Sequence, residues 1–155
     1  MILTAKTTGI IDASIENAWR SIDDFGNIAD FHPHLTSSQI VGERATGEGA
    51  QRICRFETGG EIRERVTRYL PGRGYSVTIE DTGSFPISAG IARLYLAPTD
   101  DGRTRVDFSL QFLPKFGPIG SVLGRFVMKP RFERVLRDVI RGLEQHAAEP
   151  LRHAA

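Results

Sequence analysis

Ala50-Gln-Arg-Ile-Cys-Arg-Phe-Glu57 and Glu61-Ile-Arg-Glu-Arg-Val-Thr-Arg-Tyr-Leu70 flank a Thr58-Gly59-Gly60 link, and both runs alternate. Side chains along a strand point to opposite faces in turn, so every second residue shares a face. In the second run Glu61, Arg63, Arg65 and Thr67 form a phase suited to solvent. Ile62, Glu64, Val66 and Leu70 form the phase suited to a core, with Arg68 falling in it near the strand end. In the first run Ala50, Cys54 and Phe56 share their phase with Arg52. A link this short joins antiparallel neighbours, because a parallel crossover takes about a dozen residues or more. The two runs are a hairpin with one face turned to a core.

The same pattern extends in both directions. Strand-like runs occupy residues 36–43, 75–81, 91–97 and 104–113, joined by turn-forming links at 47–49, 71–74 and 100–102. Residues 2–11 read as a first strand, and residues 82–90, with Phe85-Pro86, as an ordered loop. After the first strand, residues 12–14 supply N-cap chemistry for a helix bearing Ile15, Ala18, Trp19 and Ile22, ended by Gly26. One further turn over 27–31 stops at Pro33, and Asp23 and Asp24 read as solvated acids.

The last forty or so residues change period. Val122, Leu123, Phe126 and Val127, then Phe132, Val135, Leu136, Val139, Ile140 and Leu143, recur at three and four, as along a long amphipathic helix. Pro130 predicts a kink or a restart there, and the tail after about residue 147 is expected to fray. The segment 112–120, with two prolines and two glycines, reads as a hinge and a candidate lid. Strands sharing one apolar face, plus one long striped helix, predict an α+β domain in which a curved sheet wraps the helix and the space between becomes a pocket.

The chain has 155 residues, enough for one domain with a real core, and no linker or repeat divides it over 1–155. Its 20 Lys and Arg against 19 Asp and Glu give no bulk attraction to nucleic acid or anionic lipid. Cys54 is the single cysteine, so no intrachain disulfide forms. No signal peptide and no apolar run long enough to span a bilayer is read, which makes a cytoplasmic protein the expectation. No nucleophile elbow, phosphate loop, dinucleotide fingerprint or zinc spacing occurs, so neither a metal nor an organic cofactor is expected.

Arg52 and Glu64 are charges on the inward phase of neighbouring strands, costly alone and tolerable as a pair. They read as a structural ion pair or an Arg at the sheet margin reaching water, or else as a polar anchor in an apolar cavity. His32 and His34, in Phe31-His32-Pro33-His34, stand at one mouth of the pocket. Two histidines one residue apart suit a metal, but no third ligand is evident. Beside Glu64 and Arg52, His32 suits acid–base work near neutral pH. Tyr75, Tyr95, Phe108, Phe112 and Phe132 are the aromatic candidates for the cavity wall.

Several local signatures together resemble the START-like, helix-grip superfamily (SRPBCC), in particular its bacterial polyketide cyclase/dehydrase and lipid-transport branch. They are Ile11-Asp12-Ala13, Ala18-Trp19, Asp24-Phe25, Phe31-His32-Pro33, Gly47-x-Gly49-x-x-Arg52, Glu64 with its flanks, Tyr75-Ser-Val-Thr-Ile, Pro86 and Gly142-Leu143. The resemblance runs from Ile2 to about His146. It implies a seven-stranded antiparallel curved sheet gripping the C-terminal helix, with two short helices after strand 1 and a deep hydrophobic cavity. His32 is similar in position to the ligand-binding lysine of the plant abscisic acid receptors, and Glu64 to a cavity glutamate. Thr58-Gly59-Gly60 replaces the longer proline-containing gate of those receptors.

The leading expectation is a binder of a hydrophobic small molecule (a lipid, polyketide or isoprenoid), with His32, Arg52 and Glu64 orienting its polar end. An enzyme of the cyclase or dehydratase kind would use Glu64 or His32 to move a proton and Arg52 to hold an enolate. An interaction module, as in family members that associate with ribosomes or membrane quinone complexes, predicts instead a shallow or filled cavity and a contiguous exposed apolar patch. An edge strand or exposed loop leaves room for a homodimer.

Overall fold

The long β4 (Glu61–Leu70) keeps the alternation of its sequence for its first six residues, burying Ile62, Glu64 and Val66 and exposing Glu61 and Arg63. The register then slips between Val66 and Arg68 against β5 (Gly74–Asp81). A bulge of this kind adds one residue and reverses the phase beyond it. Arg68 therefore faces solvent instead of the core, and Tyr69 packs inward against Trp19 at 5.5 Å between ring centroids.

The remaining strands are β1 (Leu3–Ile11), β2 (Leu35–Val41), β3 (Gln51–Phe56), β6 (Ile87–Pro98) and β7 (Thr104–Pro114). All pair antiparallel in the order β1-β7-β6-β5-β4-β3-β2, a curved seven-stranded sheet with β1 and β2 at its edges. Strand β6 starts at Ile87 rather than 91, because Ser88-Ala89-Gly90, poor strand formers alone, are held by β7 across an irregular register. The loop before it shortens to residues 82–86.

Helix α1 (Ile15–Asp23) is capped by Ser14, whose Oγ accepts the Asn17 N–H at 3.2 Å. It ends at Asp23, before Gly26, because Asp24 leaves the helical region at ψ 67°; a 3-10 segment, Phe25–Asp30, follows. Asp23 is not merely solvated: it accepts the Tyr69 hydroxyl at 2.7 Å.

A helical stretch follows β7: α2 (Gly117–Leu123), a π turn (Gly124–Met128) and α3 (Lys129–Ala154). Proline cannot donate to the residue four before it, and its ring crowds that carbonyl. The wider turn relieves this, with the Lys129 N–H reaching the Gly124 carbonyl just before Pro130. Helix α3 buries Leu136, Val139, Ile140, Leu143 and Ala147 along one stripe against β1 and α1. Each large side chain so buried contributes about 1.5–3 kcal/mol. Val122, Leu123, Phe126 and Val127, expected on the same stripe, are exposed instead. The π turn rotates everything before it relative to α3.

The structure is a computed structural model describing residues 1–154, with side chains described for 1–148. The expected fraying after about residue 147 falls mostly on residues 149–155, whose side chains lie outside the described residues; the α3 backbone is helical to Ala154. No helix among the described residues is long and apolar enough to cross a membrane.

Candidate functional site

Strand register places Arg52 directly opposite Glu64. The Arg52 Nε donates to Glu64 Oε2 at 2.6 Å, with the two side chains only 4% and 9% exposed. Arg52 also donates through Nη1 to the Phe25 carbonyl at 3.1 Å, and its guanidinium lies 3.9 Å from the Phe25 ring centroid. Burial acts against the cation, but the Glu64 carboxylate outweighs it and lifts the Arg52 pKa above its ordinary value. Burial first, and Glu64 second, push the Cys54 thiol up to about 12. Burial likewise raises Tyr75, whose hydroxyl donates to the Ile22 carbonyl at 3.1 Å.

Around this pair lies a cavity of about 60 Å³. Its wall includes His32, Arg52, Glu64, Tyr75 and Phe108, all expected there, and otherwise apolar side chains, Phe56, Ile62 and Leu94 among them. That volume holds a few waters or the polar end of a ligand. Pockets that enclose a drug-sized molecule run to about 300–1,000 Å³, so the deep cavity implied by the resemblance is closed down here. Aromatic rings close it. Phe56 stands edge-on to His32 at 5.8 Å and to Phe85 at 4.9 Å. Phe85 lies so close over the Thr58-Gly59-Gly60 turn that a Cβ at Gly60 would collide with its ring.

Three expected wall residues lie elsewhere. Tyr95 alternates with the buried Leu94 and Leu96, so it faces the outer side of the sheet and bonds the Ser76 hydroxyl at 2.7 Å. Phe112 and Phe132 stack edge-on at 4.9 Å inside a second core cluster with Leu3, Ala5 and Leu136. Adjacent to a striped helix, an inward aromatic becomes packing rather than cavity wall. Phe56 and Leu94 were missed, although Phe56 shares the phase of Arg52 and Cys54 and so carried a usable signal.

The two histidines part company. Burial, then the Arg52 cation, hold the His32 pKa down at about 3, so its ring is neutral. Its Nδ1 accepts the His34 backbone N–H at 3.2 Å, which assigns the ring proton to Nε2. His34 instead bridges two carboxylates, Nδ1 to Glu57 at 3.0 Å and Nε2 to Asp138 of α3 at 2.8 Å. Partial burial opposes its cation, yet the bonds to Asp138 and Glu57 prevail and raise its pKa. His34 thus ties the β2–β3 end of the sheet to α3 beside the cavity. Among the described residues no three His, Cys, Asp or Glu side chains are arranged to hold a metal.

Residues 3–148 match the family model described as polyketide cyclase/dehydrase and lipid transport. The chain belongs to that family. No curated protein matches it in sequence. Among solved structures it is similar to the Zhui aromatase/cyclase from Streptomyces sp. R1128, with TM-score 0.84, 15% identity, and coverage of 100% of this chain and 99% of the other. It is also similar to a START superfamily protein from Mycobacterium smegmatis, with TM-score 0.77, 15% identity, and coverage of 94% and 97%. A third is the protein XoxI from Bacillus cereus, with TM-score 0.72, 22% identity, and coverage of 92% and 93%. At these identities the likeness is one of fold, here the START-like helix-grip fold, and family membership leaves open which ligand or reaction a member serves.

Proposed function

We propose that this family member binds a hydrophobic small molecule of the lipid, polyketide or isoprenoid kind, with an oxygen-bearing end seated against His32, Arg52 and Glu64. The observation that carries this reading is the wall of the cavity. It is apolar except for the Arg52–Glu64 pair, the neutral His32 ring and the Tyr75 and Cys54 side chains. A sheet needs no charge there for its own stability, since apolar replacement of a buried pair is commonly neutral or stabilising. The His32 Nε2–H, for which no partner is recorded among the described residues, is a donor suited to a carbonyl or carboxylate oxygen.

Uptake of more than the polar end requires the aromatic plug to open. The loop at 82–86 is the moving part in this reading, because Phe85 caps Phe56 and rests on the Gly60 turn. The 112–120 segment starts in the second cluster, against which Phe85 also packs, and its Lys115 N–H donates to the Pro86 carbonyl at 3.0 Å, so it anchors the end of that loop. Native mass spectrometry of the purified chain, followed by denaturing extraction, tests the proposal. The expected result is a co-purified hydrophobic species that is lost from Ala92→Leu, which fills the cavity. An empty chain, whose uptake of a hydrophobic fluorescent probe is also unchanged by Ala92→Leu, overturns it.

An interaction role is favoured by a separate observation: the cavity is small, and a helical face nearby in sequence to β7 exposes large apolar side chains. A cyclase or dehydratase role would use the same His32 and Glu64. It predicts that Glu64→Gln abolishes turnover while ligand affinity is largely kept.

A further inference from the structure

Helix α2 and its π turn are packed inside out. The inward side is Gly120, Gly124 and Met128. The backbone lies so close to the sheet that a Cβ at Gly124 would stand 2.6 Å from Pro114 Cγ and 2.8 Å from Leu3 Cδ1. The outward side holds Phe116, Ile119, Val122, Leu123, Phe126 and Val127, with Phe116 and Ile119 73% exposed and Phe126 71%. Ile2, beside that Leu3, and Leu113, which precedes the segment, are exposed too. Apolar side chains exposed singly are ordinary; a run of them along one helical face marks an interaction surface. Phe116 has a φ of +72°, the one positive value among the described non-glycine residues. Bulky residues avoid that region, yet here it is occupied by an aromatic ring left in water.

Charge decides what such a face fits. Across residues 108–132 the chain has no Asp or Glu, while Lys115, Arg125, Lys129 and Arg131 are spread along it. All four are at least partly exposed. The overall net charge of +1 conceals this local segregation. A two-fold contact with a second copy would set this cationic face against itself.

We propose that this face docks on an anionic lipid surface. Helix α2 and the π turn lie in the plane of the interface, with Phe116, Ile119, Leu123 and Phe126 among the acyl chains and the four cations at headgroup level. Docking requires nothing of the cavity, so an empty cavity leaves it standing, and a failure to dock leaves the ligand reading standing.

Co-sedimentation of the full chain with vesicles tests the proposal, using pure phosphatidylcholine and phosphatidylcholine with about one-third phosphatidylglycerol. The chain is expected to partition to the anionic vesicles and to be released by high salt. Arg125→Gln/Lys129→Gln is expected to weaken partition by about 25-fold, at about five-fold per cation. Ile119→Ser/Phe126→Ser is expected to weaken it by at least about ten-fold, with an unchanged circular dichroism spectrum. Absence of binding to the anionic vesicles overturns the proposal, as does equal, salt-insensitive binding to both. A stable dimer by light scattering that Phe126→Ser splits into monomers also overturns it, by assigning the face to a second copy.

Discussion

Cutting one partner from the Arg52–Glu64 pair is the most informative perturbation. The guanidinium is 4% exposed and, with Glu64 gone, would keep only the Phe25 carbonyl and ring as partners. Leaving one member of a buried pair uncompensated costs about 3–5 kcal/mol, against a total stability of about 5–15 kcal/mol for a domain. Glu64→Leu and Arg52→Met are each expected to lose that amount. Arg52→Met/Glu64→Leu removes both charges at similar volume, and its stability is expected within about 1–2 kcal/mol of the parent. The non-additivity would then be several kcal/mol, well beyond the roughly 0.5 kcal/mol scatter of independent sites. Urea unfolding at neutral pH reads all four proteins, with the slope checked for constancy. Additive singles that each lose under about 1 kcal/mol would refute the reasoning, since they would mean that water reaches the pair and screens it. If the double variant folds well yet no longer retains ligand, the pair is there to hold a polar end and not the sheet.

Acid should act through His32. Its folded pKa, about 3, lies below the ordinary 6.5, so unfolding takes up a proton below pH 6.5. The stability it contributes is complete above pH 6.5 and falls by about 1.4 kcal/mol per unit on acidification. The stability difference between the chain and His32→Phe should therefore change by about 2 kcal/mol between pH 6.5 and 5; no change would show the ring to be solvated. His34 works in the opposite sense, because its pKa is raised. Its contribution is present below pH 6.5 and lost as pH rises through the folded value, and His34→Gln should abolish that alkaline loss in thermal melts. Cys54, with its thiol pKa near 12, should resist iodoacetamide at pH 8 in the folded chain and react only on unfolding. Rapid native-state labelling would contradict its burial.

What could be read without coordinates rests on local periodicity. Alternation in β3 and β4 places Arg52 and Glu64 on one face, and the stripe from Leu136 to Leu143 marks the gripped helix. Short links then make the sheet antiparallel, and its register sets the two charges opposite each other. Three-dimensional packing decided the rest. A bulge after Val66 turned Arg68 outward and Tyr69 inward, a change of phase that composition does not announce. The His34 bridge joins residues 34, 57 and 138, a long-range meeting that no spacing rule encodes. Tyr95, Phe112 and Phe132 are aromatic like Tyr75 and Phe108, and only their facing and neighbours separate outer surface, filled core and cavity wall. The apolar residues of α2 looked like the start of the core stripe. The π turn before Pro130 and the close approach of Gly124 to the sheet put them in water. Periodicity says that a helix has an apolar face; only its packing against the rest of the chain says which way that face looks.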